Sequence, residues 1–256
     1  MINMILAIDI GNTNIVIGCC DGEKILFMER LTTNHHATAL EYAIQLKAIL
    51  EIHAIDKNKI GGAVISSVVP SVTDALSQSV KKLSGTEAMI INPDIKTGLC
   101  IKTDNPAQLG SDLIVDAVAG IQEYGAPLII FDMGTATTVS VINSKKEYIG
   151  GMILPGMMIS LNALVSGTSK LPKISTVKPE KLIGTNTVDC MKSGIMYGTA
   201  ASMDGIIDRI KEEMGDMTVV ATGGLASSVV PLCHNKIILD DELLIKGLMI
   251  IYHKNK

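Results

Sequence analysis

The hydrophobic and polar positions near the start of the chain form two apolar runs separated by a polar turn. Residues 5–8 and 15–17 are aliphatic, and the segment between them contains Asp9, Gly11 and Thr13. Short apolar runs bounded by turn residues are typical of buried strands. The pattern therefore predicts a hairpin with a polar turn that contains glycine.

The same pattern occurs again in the middle of the chain. Residues 128–131 are apolar, residues 136–141 alternate threonine or serine with small and β-branched residues, and Asp132 and Gly134 lie in the segment that joins them. A glycine allows the backbone to approach a ligand closely, so that amide groups point at phosphate oxygens. For either copy alone, an ordinary hairpin whose polar residues only satisfy turn geometry is the alternative. Two copies favour two related halves that face one nucleotide.

Helix and strand patterns alternate through the rest of the chain, which predicts an α/β fold with mixed sheets flanked by helices. Apolar residues at helical spacing predict helices over residues 39–52, 71–83, 110–124, 157–165, 187–214 and 242–252. Further strands are predicted over residues 24–31, 62–69, 88–91 and 236–239. Residues 147–156 are predicted to be a strand that leads into a Gly-Pro loop, and residues 218–225 a strand that runs into a Gly-Gly turn. The polar loop at 32–36 is predicted to cap the first helix, and residues 166–181 are predicted to form a mobile loop. The predicted domains are 1–115 and 116–256.

Composition excludes several classes of protein. The 256 residues are 47% hydrophobic but only 3% aromatic, as expected for an aliphatic α/β core. The net charge of −4 and the lack of a long basic run argue against a nucleic-acid partner. Polar residues interrupt the apolar N-terminal segment, so we expect no signal peptide, no membrane partner and a cytoplasmic location. The five cysteines contain no C-x-x-C pair and predict reduced thiols.

The pattern places one aspartate for phosphate chemistry, and helix geometry alone explains a second. Asp9 ends a predicted strand, where its carboxylate is suited to a hydrated Mg²⁺ while the Thr13 hydroxyl and the turn amides bind phosphate. Asp112 lies in the first turn of a predicted helix, a position that the helix dipole favours for aspartate whatever its function.

Three glycine-containing turns follow apolar strands, at residues 9–13, 132–138 and 222–224. Together they resemble the superfamily of actin, sugar kinases and heat-shock chaperone ATPases, in which two related ribonuclease H-like domains bind a nucleotide. The segments D-I-G-N-T, N-P-A-Q-L-G-S-D, D-M-G-T-A-T-T, G-G-M-I-L-P-G, L-I-G-T-N-T and T-G-G-L-A occur in this order. In this respect the chain resembles type III pantothenate kinases over nearly its whole length.

The resemblance implies ATP-dependent phosphorylation of the primary hydroxyl of pantothenate, the first step of coenzyme A synthesis. It implies Asp112 as the general base, Asp9 as the Mg²⁺ residue and Asp132 as the residue for an activating monovalent cation, K⁺ or NH₄⁺. The implied ATP-binding residues are Asp9, Ile10, Gly11, Asn12, Thr13, Asn14, Ile15, Val16, Thr135, Gly223 and Gly224. The implied pantothenate-binding residues are Gly110, Ser111, Asp112, Leu113 and Thr187. Family members are dimers whose acceptor pocket is completed by the partner subunit, so a homodimer is expected.

Departures from the family pattern lie mainly on the acceptor side. Leu113 stands where the family has an arginine, and leucine cannot pair with the pantothenate carboxylate. The other replaced positions are Thr103, Asp116, Ser140 and Thr185. Lys170 or Lys173 is a candidate substitute for the arginine, although both fit a solvated loop. A kinase of another small alcohol and a non-catalytic nucleotide-binding regulatory protein therefore stay open beside the pantothenate kinase.

Overall fold

The computed structural model describes residues 4–22 and 24–256, and these residues form two compact units. The first unit comprises the described part of Met1–Gly98 with Asn105–Ala119 and Leu243–Lys256. The second unit comprises Leu99–Asp104 and Gly120–Glu242. Across the described ranges, no helix combines the length and the apolar character needed to cross a membrane.

The first unit contains a five-stranded mixed sheet. Its strands are β1 (Met4–Ile10), β2 (Asn14–Asp21), β3 (Lys24–Thr32), β4 (Ile60–Ser67) and β5 (Ala88–Ile90), in the order β3-β2-β1-β4-β5. β1 and β2 form the first predicted hairpin, and β4 and β5 run parallel to β1. Leu6 and Ile8 are fully buried because β1 is the central strand, with both of its faces covered.

The helices of the first unit follow the predicted periodicity closely. Those before residue 120 are α1 (Ala39–Ile52), α2 (Pro70–Ser84) and the first part of α3 (Ser111–Tyr124), with short 3₁₀ helices at Lys57–Lys59 and Pro106–Gln108. The cap of α1 is Thr38, which forms a capping box with Glu41. The predicted cap within residues 32–36 is therefore wrong, and this loop contacts the first hairpin turn.

The second unit repeats this strand arrangement. Its strands are β6 (Cys100–Ile101), β7 (Leu128–Met133), β8 (Ala136–Ile142), β9 (Glu147–Pro155), β10 (Thr218–Thr222) and β11 (Ile238–Leu239). The series β9-β8-β7-β10-β11 has the same order and directions as β3-β2-β1-β4-β5, and β6 adds one strand beside β9. The second predicted hairpin is β7-β8, so both polar turns occupy the same position in their sheets.

The helices of the second unit include one short segment that the sequence pattern did not predict. They are α4 (Met157–Ser166), α5 (Thr187–Met214) and α6 (Ala226–Val229), followed by a 3₁₀ helix at Val230–Leu232. α6 follows β10, which ends at Thr222, where the glycine-containing turn predicted over residues 222–224 begins. The next residue, Gly223, has a φ of 93°, a conformation that glycine adopts without steric cost.

The closing helix α7 (Leu243–Lys254) belongs to the first unit, whereas the predicted division assigns it to 116–256. Ile245 packs where a side chain at Gly18 would lie, and the Tyr252 hydroxyl occupies the equivalent space beside Gly62. The apolar periodicity of this segment predicts a helix, but it does not indicate which sheet the helix packs against. The predicted boundary at 115/116 also falls within α3, which continues from one unit into the other.

Candidate functional site

The first predicted phosphate turn joins β1 to β2. The Gly11 amide donates a hydrogen bond to the Asn14 carbonyl at 3.0 Å, which closes the turn. A Cβ atom at Gly11 would lie 3.1 Å from the same carbonyl oxygen, so the turn has little room for a side chain. Asn12 and Thr13 are exposed. The turn thus offers accessible main-chain and polar groups, as a phosphate site requires.

Thr33, in the loop after β3, holds this turn through two hydrogen bonds. Its hydroxyl donates to the Gly11 carbonyl at 2.7 Å, and its amide donates to the Thr13 carbonyl at 2.9 Å. Thr33 is only 8% exposed. The sequence analysis did not identify this residue. The polar end of β3 could have indicated it, because that end pairs with β2 immediately after the turn.

Asp9 lies on β1 just before the turn and is 9% exposed. In the sheet register it stands opposite Val16 on β2 and Ser66 on β4. Ile10 and Ile15 are fully buried in the hydrophobic core of the unit. Only their main-chain groups are therefore available to a ligand, whereas Asp9 supplies a carboxylate.

Hydroxyl groups connect the first turn of α3 to the end of β4. The Ser111 Oγ lies 2.9 Å from the Ser66 Oγ, and the Ser111 hydroxyl also donates to the Ser67 carbonyl at 3.2 Å. Ser66 is the neighbour of Asp9 in the parallel pairing of β4 with β1. Asp112, the residue after Ser111, is thereby held at the same end of the sheet as Asp9.

The Asp112 carboxyl group is largely enclosed by protein. This burial raises its pKa above the usual aspartate value, and hydrogen bonds from the backbone amides of Leu113 and of Asp112 itself act in the opposite direction. The Leu113 amide donates to Asp112 Oδ1 at 2.9 Å. The same oxygen occupies the space that a side chain at Gly110 would need. Gly110 and Leu113 therefore fix the position of the carboxylate.

In the second unit, Asp132 lies just before the equivalent turn, and glycines from two other segments surround that turn. A Cβ atom at Gly223 would lie 2.5 Å from Asp132 Oδ1, and one at Gly156 would overlap the Thr135 carbonyl. Thr135 and Gly224 are exposed. Main-chain groups consequently approach Asp132 and its turn more closely than any larger residue would allow.

Thr187 is the first residue of α5 and lines an open groove of about 870 Å³. The groove also contains Leu164, Leu171 and Thr185, so its surface combines apolar and hydroxyl groups. Thr187 belongs to the second unit together with Asp132, Thr135, Gly223 and Gly224, whereas the other predicted binding residues belong to the first unit.

The replaced family positions differ in environment. Leu113 is half-buried and Asp116 is buried. The Ser140 Oγ lies 3.3 Å from the Tyr148 hydroxyl, and within the described ranges the buried Thr103 hydroxyl has no hydrogen-bond partner. Lys173 is exposed, as a solvated loop residue would be. Within residues 4–22 and 24–256, no group of three or more His, Cys, Asp or Glu side chains is arranged to hold a metal.

Comparison with known proteins agrees with the sequence motifs. The sequence profile of the type III pantothenate kinase family matches residues 5–209. A Halalkalibacterium halodurans protein named type III pantothenate kinase is 46% identical over 253 residues, which cover 98% of this chain and 100% of the relative. A Bacillus cytotoxicus protein of the same name is 45% identical, covering 98% of this chain and 97% of the relative.

A solved structure with little sequence identity to this chain has a similar fold. A ROK family glucokinase from Streptomyces griseus, in complex with glucose and AMPPNP, has a TM-score of 0.51 and 14% identity, with 99% of each chain covered. This similarity confirms the predicted actin-like α/β fold of the sugar kinases. With the family profile and the full-length relatives, it leads to one conclusion: the chain belongs to the type III pantothenate kinase family.

Proposed function

We propose that the protein transfers the γ-phosphoryl group of ATP to the primary hydroxyl of pantothenate, the opening step of coenzyme A synthesis. Identity of 46% to a pantothenate kinase across the whole chain supports this activity. The observation that carries it is the enclosed Asp112 carboxylate. Its neighbour Ser111 contacts Ser66 on β4, at the end of the sheet that bears Asp9 and the first phosphate turn.

Binding of the ATP phosphates is assigned to residues 9–16 of the first unit. The amides and hydroxyl of the exposed turn donate hydrogen bonds to phosphate oxygens, and the Asp9 carboxylate is the residue that would hold a hydrated Mg²⁺. Carboxylate oxygen is a ligand that Mg²⁺ prefers, and Mg²⁺ usually keeps several waters, so one protein carboxylate fits this role. When bound, the ion neutralises charge on the phosphates.

Asp112 is proposed as the general base. Its carboxylate accepts the proton of the pantothenate hydroxyl while the hydroxyl oxygen attacks the γ-phosphorus, and the bond from that phosphorus to the bridging oxygen of ADP breaks. In a loose transition state the alcohol becomes acidic late, so a correctly placed aspartate is sufficient. A pKa raised by burial makes this aspartate a stronger proton acceptor than an exposed one.

The second unit is proposed to bind the remaining parts of the substrates. Asp132 binds the monovalent cation, K⁺ or NH₄⁺, and main-chain oxygens near its turn are suitable additional ligands. Thr135, Gly223 and Gly224 contact ATP, and Thr187 contacts pantothenate. These assignments rest on the family resemblance and on the close approach of glycine backbones to Asp132 and Thr135.

A homodimer in the cytoplasm is the expected form of the protein. Exposed large apolar side chains concentrate in the second unit, where they include Met152, Ile153, Met158, Ile159, Leu164, Leu182, Ile183 and Val188. Exposed apolar surface of this kind is typical of protein interfaces. It supports a second copy of the chain as the partner.

The first test measures ADP release from Mg-ATP with and without pantothenate, in K⁺ and again in Na⁺. We expect release that depends on pantothenate and is faster in K⁺. Asp112→Asn should lose turnover by roughly 100-fold or more, since general-base catalysis typically contributes that much, and should still bind ATP. Asp94→Asn, an exposed carboxylate of the same unit, serves as the matched control. Normal turnover by Asp112→Asn would show that the base is another group.

A kinase of another small alcohol is the second candidate, and Leu113 favours it. Leu113 replaces the family arginine, so the first turn of α3 presents an apolar side chain instead of a cation that could pair with the pantothenate carboxylate. A panel of hydroxy acids and neutral pantothenate amides, compared by kcat/KM, separates the two candidates. The highest value for pantothenate would exclude this second candidate.

A further inference from the structure

We infer that Thr33 is a positioning residue for ATP: it sets the conformation of the first phosphate turn without being part of that turn. This inference rests on the proposed function only in that the turn binds phosphate. It adds a residue outside segment 9–16, to which the phosphates are assigned.

The contacts of Thr33 reach both ends of the turn. The hydroxyl donates to the Gly11 carbonyl at 2.7 Å, and the amide donates to the Thr13 carbonyl at 2.9 Å. With the 3.0 Å bond from the Gly11 amide to the Asn14 carbonyl, three hydrogen bonds fix the orientations of the peptide groups across the turn. When a carbonyl is fixed in one direction, the amide of the same peptide plane points the opposite way.

This geometry has a direct consequence for phosphate binding. The Gly11 carbonyl shares a peptide plane with the Asn12 amide, and the Thr13 carbonyl shares one with the Asn14 amide. Because Thr33 binds both carbonyls, it directs these two amides away from itself. Preorganised amides stabilise an anion without a further ordering cost on binding.

The residue after Thr33 is held by the helix that follows this loop. The Asn34 amide donates to the Tyr42 hydroxyl at 3.2 Å, and that hydroxyl donates to the Asn34 carbonyl at 2.8 Å. Tyr42 lies on α1 and is fully buried. A loop residue supported by a buried side chain is rigid enough to fix its neighbour, so the contacts run from α1 through Asn34 and Thr33 to the turn.

The test uses Thr33→Val, which removes the hydroxyl, keeps the amide and changes the side-chain volume little. Thr86→Val is the matched control, because the Thr86 hydroxyl also donates to a carbonyl of this unit, that of Ile60, at 3.2 Å. Ile60 begins β4, at the opposite end of that strand from Ser67. Thr33→Ser, which keeps the hydroxyl, is the rescue variant.

Binding of Mg-ATP and of adenosine to each purified variant is measured by calorimetry, without an acceptor. Loss of one net hydrogen bond corresponds to about a fivefold change in affinity. We expect Thr33→Val to raise the Kd of Mg-ATP by about this factor and to leave that of adenosine unchanged, while Thr33→Ser and Thr86→Val bind both as the unaltered protein does. Thermal unfolding confirms that each variant is folded.

Unchanged Mg-ATP binding by Thr33→Val, or an equal loss for adenosine, would overturn the inference. Neither result bears on whether pantothenate is the acceptor, because no acceptor is present. Conversely, a protein that binds ATP but does not phosphorylate pantothenate would contradict the proposed function and leave the role of Thr33 intact.

Discussion

At the scale of single residues, Asp112 is subject to two opposing influences. Burial raises the pKa of its carboxyl group, and the backbone amides of Leu113 and Asp112 lower it to a smaller extent. A carboxyl group whose pKa is higher in the folded chain than in the unfolded chain destabilises the folded state once it is ionised. The feature proposed to assist catalysis therefore has a cost in stability at neutral pH.

Replacing this carboxyl group should consequently stabilise the protein. We expect Asp112→Asn to unfold at a higher temperature than the unaltered protein at neutral pH, since asparagine carries no charge to desolvate. As the pH falls through the raised pKa, the aspartate becomes protonated and the difference should shrink. Circular dichroism melts at neutral and acidic pH measure both effects, with the exposed Asp94→Asn as a control. A stability gain independent of pH would contradict this account of Asp112.

At the scale of the element, the turn after β10 depends on a glycine for two reasons. Gly223 has a φ of 93°, and a Cβ atom there would lie 2.5 Å from Asp132 Oδ1. Gly215, which ends α5, has a φ of 86° but open space around the position of a Cβ atom. A side chain at Gly215 would therefore cause backbone strain alone, whereas one at Gly223 would cause both backbone strain and steric overlap.

Alanine substitution at each position tests this difference. Gly215→Ala should lower the free energy of unfolding by about 1–3 kcal/mol through backbone strain alone, because its φ of 86° with a ψ of −172° is a conformation that only glycine adopts readily. Gly223→Ala should lower it by about 1–3 kcal/mol more, because overlap with the Asp132 side chain and the Met133 backbone is added. Urea denaturation measures both values. Equal losses would mean that the Asp132 side chain and the Met133 backbone both move aside at little cost.

The elements also show what the sequence was able to predict. α1 and α5 begin and end where their periodicity places them, because a long amphipathic or capped segment defines its own limits. β10 ends where the predicted Gly-Gly turn begins, because the two glycines are visible in the sequence even though the φ of Gly223 is not. The composition of the first turn identified a candidate phosphate site, but Thr33 was missed because its contacts join residues 22 positions apart.

At the scale of the whole molecule, the proposed homodimer makes the exposed apolar side chains of the second unit a testable feature. Ile183 is 80% exposed in that unit, and Ile52 is 77% exposed at the end of α1 in the first unit. Both residues expose a similar apolar surface to solvent. Only Ile183 lies in the unit to which the dimer contact is assigned.

A lysine at each position distinguishes the two surfaces. Ile183→Lys should raise the dimer dissociation constant at least about tenfold, from lost apolar burial and an added unpaired charge. Ile52→Lys should leave it unchanged. Analytical ultracentrifugation over a range of concentrations gives both constants. A monomeric unaltered protein, or equal behaviour of the two variants, would contradict the proposed interface.

The position of α7 determines the order in which the units can be completed during synthesis. All strands of the second unit precede Leu243 in the chain, whereas the first unit needs α7 to fill the space beside Gly18 and Gly62. During synthesis, the positions beside Gly18 and Gly62 therefore stay without their α7 contacts until every strand of the second unit has been translated. The unit whose first strand is translated earliest is therefore also the unit that contains the helix translated after all the strands.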